Sequence, residues 1–245
     1  MSNTPEMRPQ ATEVKFLIPP SVAPRIQTWA RTCLQPDPHG AGPSGDEYAI
    51  TTLYLDTPAF DVFARRGSFG RAKYRIRRYG RDECVYLERK LRKPGIMIKR
   101  RTVVPMPAPD RLQPPGTGRR WAGEWFARRV AARGLRPVCC VSYVRLARVG
   151  ETPDGPVRLT LDSALAAGPA TELRFTPGVT VPVLEPALVL ELKYRAYMPA
   201  LFRRLVEKFA LTPMPVSKYR LSAAALRLGE AADLVALRSV RDTHA

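Results

Sequence analysis

Hydrophobic and polar residues alternate along much of the chain with a period of two, which is typical of half-buried β-strands. In one such stretch, Leu190 and Leu192 alternate with Glu191 and Lys193. Turn-forming residues separate most of the stretches that share this pattern. The alternation predicts eight strands, at residues 12–18, 48–55, 71–79, 83–91, 96–104, 138–149, 157–163 and 187–194.

Apolar residues recur with a helical period in four other stretches, at residues 21–34, 119–133, 198–210 and 217–238. Strands outnumber these helices and do not alternate regularly with them. The predicted fold class is therefore α+β with a mainly antiparallel sheet. We divide the chain into a disordered N-terminus, a single domain and a flexible tail, at residues 1–11, 12–238 and 239–245.

Seven of the predicted strands have one apolar face and one charged face, because successive side chains point to opposite sides of a strand. In the first strand, for example, Glu13 and Lys15 lie opposite Val14 and Phe16. Arginine and lysine dominate the charged faces. Their members are Glu13, Lys15, Lys73, Arg75, Arg77, Glu88, Lys90, Met97, Lys99, Arg101, Tyr143, Arg145, Arg158, Thr160, Asp162, Glu191 and Lys193.

Two architectures are consistent with this alternation. An open antiparallel sheet would bury its apolar face under helices and expose the charged face to water, and alternation alone favours it. A sheet closed into a barrel would instead turn its charged face inward, which explains why so many cations share one side. Eight strands enclose room for one slender ligand. A lumen lined by cations and a few carboxylates suits a linear polyanion with a metal ion.

The charge of the chain, +18 over 245 residues, also indicates a polyanionic partner. Scattered surface arginines have a second explanation, a genomic bias in composition.

The histidine and cysteine content argues against several kinds of site. Only two histidines are present, which argues against catalysis by a Ser-His-Asp or Cys-His arrangement. Four cysteines without a C-x-x-C pair argue against a disulfide framework or a zinc site. No apolar run is long enough to span a bilayer, and the N-terminus does not resemble a signal peptide, so we expect a cytoplasmic protein.

The segment GAGPSG at residues 40–45 formally matches the dinucleotide-binding pattern G-x-G-x-x-G. That site needs a strand before the glycines and a helix after them. Here a proline-rich segment comes before and a predicted strand follows. We interpret the segment as a flexible loop.

Nine short motifs follow one another over residues 12–222. They are TEVKFLI, TTLYLDTP, AKYRIRRYG, YLERK, IKRR, SYVRLA, VRLTLD, VLELKY and PVSKYRLS. Each motif is weak by itself, but in this order they resemble the VTC domain of polyphosphate polymerases, which is similar to the CYTH triphosphatases and other triphosphate tunnel metalloenzymes.

The resemblance implies an antiparallel eight-stranded β-barrel tunnel with a charged lumen and helices packed outside. It also implies transfer of the γ-phosphoryl group of ATP to inorganic polyphosphate, with Mn²⁺ or Mg²⁺ as cofactor. We assign as candidate catalytic residues Arg75, Arg77, Lys90, Arg145, Arg158 and Lys218. We assign as candidate substrate-binding residues Lys15, Lys99, Arg101, Tyr143 and Lys193. The implied metal ligand is Glu191, and Glu88 and Glu13 are further candidates.

The chain also departs from its relatives. CYTH triphosphatases have E-x-E-x-K in the first strand, whereas Ala11 stands here in place of the first acid, which favours the polymerase branch. A tunnel triphosphatase and a catalytically silent polyphosphate-binding module remain alternatives. Nucleic acid is not an expected partner, since the aromatic residues mostly fall on the apolar faces. Regulation or export of the product, if they occur, would need another chain, such as a separate membrane partner protein, and the oligomeric state is not predicted.

Overall fold

The structure is a computed structural model that describes residues 12–40, 44–93, 96–106, 121–175 and 178–228. The predicted disordered N-terminus and flexible tail lie outside the described residues. So do residues 229–238 of the predicted domain and the centre of the GAGPSG segment. Within the described part of the chain, no helix is long and apolar enough to cross a bilayer.

All eight predicted strands are present, and two further short strands bring the total in the described residues to ten. The strands are β1 (Thr12–Ile18), β2 (Gln35–Pro36), β3 (Glu47–Asp56), β4 (Ala72–Tyr79), β5 (Cys84–Lys93), β6 (Ile96–Pro105), β7 (Arg136–Thr152), β8 (Gly155–Pro169), β9 (Val181–Pro182) and β10 (Leu188–Tyr194). The helices are α1 (Ala23–Cys33), α2 (Asp61–Ala64), α3 (Glu124–Ala132), α4 (Ala200–Lys208) and α5 (Lys218–Ala225), and Gly67–Arg71 forms a 3₁₀ helix. The last predicted helix is shorter than expected, since α5 ends at Ala225.

One antiparallel sheet joins the long strands in the order β1-β10-β8-β7-β3-β4-β5-β6. Among the described residues, β1 and β6 at the two ends of this path are not hydrogen-bonded to each other. The ends nevertheless approach through side chains, because the ammonium of Lys90 on β5 lies 3.4 Å from the carboxylate of Glu13 on β1. The sheet is therefore curled around a lumen. The predicted tunnel architecture is confirmed, with side chains of β1 and β5 in contact across the opening between the ends of the sheet.

Two hydrophobic clusters cover the outer side of the curled sheet. Helices α1 and α4 pack over the first cluster, which includes Leu190 and Leu192 of β10. Helix α3 packs over the second through Phe126, whose ring lies 5.9 Å from that of Tyr74 on β4. Burial of a leucine or phenylalanine side chain stabilises the fold by about 1.5–3 kcal/mol. The apolar strand faces thus point outward under helices, and the charged faces point inward.

Helix α5 lies at one end of the curled sheet, beside the C-terminal end of β3. Its N-cap is Ser217, whose hydroxyl accepts a hydrogen bond from the backbone N–H of Arg220. The hydroxyl of Tyr219 donates to the carboxylate of Asp56, and the Tyr219 ring stacks on Tyr54 at 5.1 Å. Asp56 also accepts hydrogen bonds from two backbone N–H groups of α2. These contacts fix the first turn of α5 at the entrance to the lumen.

Candidate functional site: a cationic lumen

The predicted charged faces converge on the inner side of the curled sheet. Cross-strand pairing places Lys15 opposite Glu191, and Arg75 opposite Glu88. The inner cations are Lys15, Lys73, Arg75, Arg77, Lys90, Lys99, Arg101, Arg145, Lys193 and, from α5, Lys218. The inner carboxylates are Glu13, Glu88, Asp162 and Glu191. Ten basic groups against four carboxylates leave a formal excess of six positive charges among these residues.

Asp162 of β8 holds two cations of the lumen in place. Its carboxylate accepts hydrogen bonds from Nε and an Nη of Arg145 at 2.6 and 2.7 Å, and the ammonium of Lys218 lies 2.6 Å away. Asp162 is almost fully buried, at 1% exposure. Burial alone would raise the pKa of Asp162, but the Arg145 and Lys218 charges outweigh it and hold the pKa below its ordinary value. The carboxylate therefore stays ionised and fixes both cations.

Glu191 of β10 is shared by four cations. Lys218 lies 3.0 Å from its carboxylate, Lys15 lies 3.6 Å away, and Arg145 and Lys193 each lie 3.8 Å away. Its burial alone would raise the pKa, yet Lys218 and Lys15 hold the pKa of Glu191 well below its ordinary value. One carboxylate thus keeps four positive groups together in the centre of the lumen.

Glu88 and Glu13 organise the remaining inner cations. Glu88, which is 2% exposed, lies 2.6 Å from Arg75, 3.1 Å from Lys99 and 3.4 Å from Arg101. Glu13 contacts three lysines at distances of 3.0 to 3.5 Å, which are Lys15, Lys90 and Lys193. Each of these carboxylates therefore carries more positive charge around it than it can neutralise.

Two inner cations have no carboxylate within salt-bridge distance among the described residues. Arg77 is 6% exposed, and its Nε donates to the hydroxyl of Thr52 at 3.2 Å. Lys73 donates to the hydroxyl of Ser217 at 2.9 Å. Burial, together with repulsion from Lys15 and neighbouring cations, lowers the pKa of Lys73 to about 7. Neither group has a carboxylate within salt-bridge distance in the described part of the chain, so both can pair with a bound anion.

Arg158, one of the candidate catalytic residues, lies at the rim of the lumen. Its guanidinium donates to the hydroxyl of Tyr48 at 2.8 Å and lies 2.8 Å from the carboxylate of Asp37. The charge of Arg158 is thus matched by a carboxylate of its own. For this reason it is not counted in the excess of six.

Tyr143 lies between two cations, with Arg145 at 5.4 Å and Lys218 at 5.2 Å from its ring centroid. Its hydroxyl is buried and has no hydrogen-bond partner among the described residues. Burial raises the pKa of Tyr143, so the hydroxyl keeps its proton. A protonated phenol without a partner can donate to an oxygen of a bound anion.

The three predicted metal ligands separate into a pair and a single residue. Glu13 and Glu191 lie on neighbouring strands and share Lys15 and Lys193, whereas Glu88 contacts other cations. Within the described ranges, no group of three or more His, Cys, Asp or Glu side chains is placed to hold a metal ion. Mg²⁺ is commonly bound by one or two carboxylates together with substrate phosphates. The pair Glu13 and Glu191 fits that donor set, with a bound phosphate supplying the other oxygens.

Two of the charged inner residues carry no role in the sequence-based assignment. Asp162 and Lys73 both lie on predicted charged faces, so strand parity placed them on the inner side. Parity could not show that Asp162 pairs with Arg145 and Lys218, because those partners come from β7 and α5. The contacts of Asp162 with Arg145 and Lys218 depend on the register between β7 and β8 and on the position of α5, which the alternation pattern does not predict.

Comparison with known proteins identifies a family and a similar fold. A sequence model of the VTC domain matches residues 10–227, and no curated protein sequence matches significantly. A candidate adenylate cyclase from Bacillus halodurans is similar in structure, with a TM-score of 0.52 and 13% identity over 85% of this chain and 94% of that chain. The PH1819 protein from Pyrococcus horikoshii has a TM-score of 0.48 and 13% identity, over 88% and 99%. A candidate adenylyl cyclase from Hippeastrum, described as having a dominant triphosphatase activity, has a TM-score of 0.46 and 14% identity, over 88% and 96%. At such identities the Bacillus halodurans structure supports the fold alone.

Proposed function

The chain belongs to the VTC domain family, and we propose that it is an ATP-dependent polyphosphate polymerase acting inside the cationic lumen. The reaction transfers the γ-phosphoryl group of ATP to the end of a polyphosphate chain and releases ADP. The observation that carries the proposal is the excess of six positive charges, gathered from strands around the whole lumen. Such a surface suits a ligand that carries negative charge along its length.

Phosphate binding would use the inner cations in two ways. Arginines such as Arg75 and Arg145 can hold phosphate oxygens with two parallel hydrogen bonds, while lysines act as point charges. Lys15 and Lys193, which each contact both Glu13 and Glu191, can turn toward a phosphate without leaving an acid unneutralised. The carboxylates therefore hold the cations in place until the ligand arrives.

The chemistry needs positioning and charge stabilisation more than a protein nucleophile, since phosphoryl transfer passes through a loose transition state. A terminal oxygen of the polyphosphate chain attacks the γ-phosphorus, the bond to the β,γ-bridging oxygen breaks, and ADP leaves with the electron pair. Arg145 and Lys218, both held by Asp162, would stabilise the charge that spreads over the transferred group. The free hydroxyl of Tyr143 can donate to the same oxygens.

A divalent cation, Mn²⁺ or Mg²⁺, fits the carboxylates of Glu13 and Glu191 together with phosphate oxygens. When bound it supplies further positive charge that neutralises the triphosphate. The two carboxylates are held ionised at neutral pH, because neighbouring lysines outweigh the effect of burial and lower the pKa of each. They are thus in the protonation state that a metal ligand requires.

Product analysis tests the proposal. Purified protein is incubated with ATP and Mn²⁺, and the products are resolved as ADP, free phosphate and long phosphate chains. Chains accompanied by ADP support the polymerase, free phosphate alone supports a tunnel triphosphatase, and tight polyphosphate binding without turnover supports a silent binding module. Arg75→Gln should abolish chain formation. Arg128→Gln is the matched control, because Arg128 is exposed on α3 and pairs with Glu124 outside the lumen.

A further inference from the structure

Three tyrosines form a row on the inner face of the sheet. Tyr48 of β3, Tyr79 of β4 and Tyr86 of β5 contact one another edge to face. Ring centroids are 5.7 Å apart between Tyr48 and Tyr79, and 5.0 Å apart between Tyr79 and Tyr86. All three rings are only half-buried. The row therefore presents aromatic surface at the rim of the lumen.

A guanidinium and an exposed aliphatic side chain complete this surface. The guanidinium carbon of Arg101 lies 3.7 Å from the ring centroid of Tyr86. The same guanidinium donates a hydrogen bond to the hydroxyl of Tyr79 at 3.0 Å. Val103 of β6 pairs with Tyr86 in the sheet and is 52% exposed, so it adds apolar surface beside the ring. The surface formed by Tyr48, Tyr79, Tyr86, Arg101 and Val103 is called the tyrosine rim below.

The tyrosine rim lies directly beside the phosphate-binding cations and away from α5. Tyr86 is paired with Arg77 in the sheet, and Tyr79 is two residues beyond Arg77 on the same face of β4. At the opposite end of β4, Lys73 is bonded to Ser217 at the start of α5. The inner face thus runs from aromatic groups at one end, through arginines, to lysines at the other.

We propose that the tyrosine rim receives the base of a nucleoside triphosphate while the adjacent arginines hold its phosphates. This inference rests on the proposed function, in which the lumen binds a triphosphate, and extends it to the nucleoside. A nucleoside triphosphate has the same order as the inner face, with a flat aromatic group at one end and a chain of phosphates at the other. Bases stack on aromatic rings and on the plane of an arginine guanidinium. Purines, which have the larger ring system, should bind more tightly than pyrimidines.

Binding measurements separate recognition of the base from recognition of the phosphates. The affinities of ATP and of inorganic tripolyphosphate are measured by calorimetry on wild-type protein, Tyr86→Leu and Tyr79→Leu. Loss of one stacking contact is expected to weaken ATP binding about tenfold. The affinity for tripolyphosphate should fall less than that for ATP, since leucine removes no charge, and the smaller change is expected for Tyr86→Leu because Tyr79→Leu also removes the hydroxyl that accepts from Arg101. Equal losses for both ligands, or no loss for either, would overturn the nucleobase site.

A second comparison uses the wild-type protein and does not depend on the variants folding. Ribose 5-triphosphate carries the phosphates and the sugar of ATP without the base. ATP should bind about tenfold more tightly than ribose 5-triphosphate if the base stacks on the tyrosine rim. Equal affinities would overturn the inference. The two proposals can fail separately. If the tyrosine variants lose affinity for ATP alone but the wild-type protein makes no polyphosphate, the nucleobase site is supported and the polymerase proposal is overturned.

Discussion

The ammonium of Lys218, the first residue of α5, lies 2.6 Å from the carboxylate of Asp162 in the middle of β8. The same carboxylate holds Arg145 on β7 through two hydrogen bonds. One buried acid therefore joins a helix and two strands and sets the position of two cations in the lumen. The structure of the site and its charge balance both depend on this contact.

Asp162→Asn tests that dependence. The variant keeps the size of the side chain but leaves Arg145 and Lys218 buried beside a neutral amide. Breaking a buried ion pair by removing one partner costs about 3–5 kcal/mol. Urea unfolding should show a loss of this size, whereas Asp154→Asn, at an exposed turn, should unfold as the wild type does. A loss below about 1 kcal/mol for Asp162→Asn would show that the contact does not organise the lumen.

Arg77→Gln tests whether Arg77, which has no salt bridge among the described residues, binds phosphate. Burial alone would lower the pKa of Arg77, but neighbouring groups, including Tyr143 and Glu88, outweigh it and raise the pKa. Removing this charge should therefore leave the free energy of unfolding unchanged or reduce it. Hydrogen bonds to charged groups contribute about 1.5–3 kcal/mol, so tripolyphosphate should bind roughly 10- to 100-fold more weakly. Calorimetry measures the affinity, with Arg128→Gln as control. Unchanged affinity would remove Arg77 from the binding site.

Lys73→Met tests whether burial and neighbouring cations lower the pKa of Lys73. The pKa of Lys73 is lowered to about 7 in the folded protein, from an ordinary value of 10.5. The unfolded chain therefore binds this proton more tightly, and the group destabilises the fold increasingly as pH falls from 10.5 to 7. The variant should be more stable than wild type in urea at pH 6.5, and the difference should shrink toward pH 10. A difference independent of pH would contradict the assigned pKa.

The acid stability of the wild type follows from its inner carboxylates. Charges of neighbouring cations hold the pKa values of Glu13, Glu88, Asp162 and Glu191 below their ordinary range. Their stabilising contribution is present above the unfolded pKa values of about 4 and is lost as pH falls through the lower folded values. Thermal unfolding from pH 7 to pH 2 should therefore show a Tm that declines mainly below pH 4. Glu191→Gln should flatten this decline, and an equal decline in the variant would contradict the assignment.

Sequence alternation predicted the strands and their inner faces because both are local properties. Glu191 and Lys193 alternate with Leu190 and Leu192, and the structure buries the two leucines under α1 and α4 as that pattern requires. The very short elements β2 and β9 leave no such pattern, since two residues do not establish a period.

Contacts between distant segments could not be predicted in the same way. The pairing of Lys218 with Asp162 depends on how α5 docks, and that is set by Tyr219 and Asp56 rather than by neighbouring residues. The tyrosines also differ from the sequence-based expectation. Tyr79 and Tyr86 share the inner face with Arg77 and Glu88, although most aromatic residues were expected on the apolar side.

The most direct test of the account follows the γ-phosphate of ATP. Protein is incubated with γ-³²P-ATP and Mn²⁺, and the label is divided between free phosphate and chains that precipitate in acid. We predict that label enters the chains in a one-to-one ratio with the ADP formed, and that Arg145→Gln abolishes this incorporation. Label recovered only as free phosphate, or ATP left intact while polyphosphate binds, would contradict the polymerase.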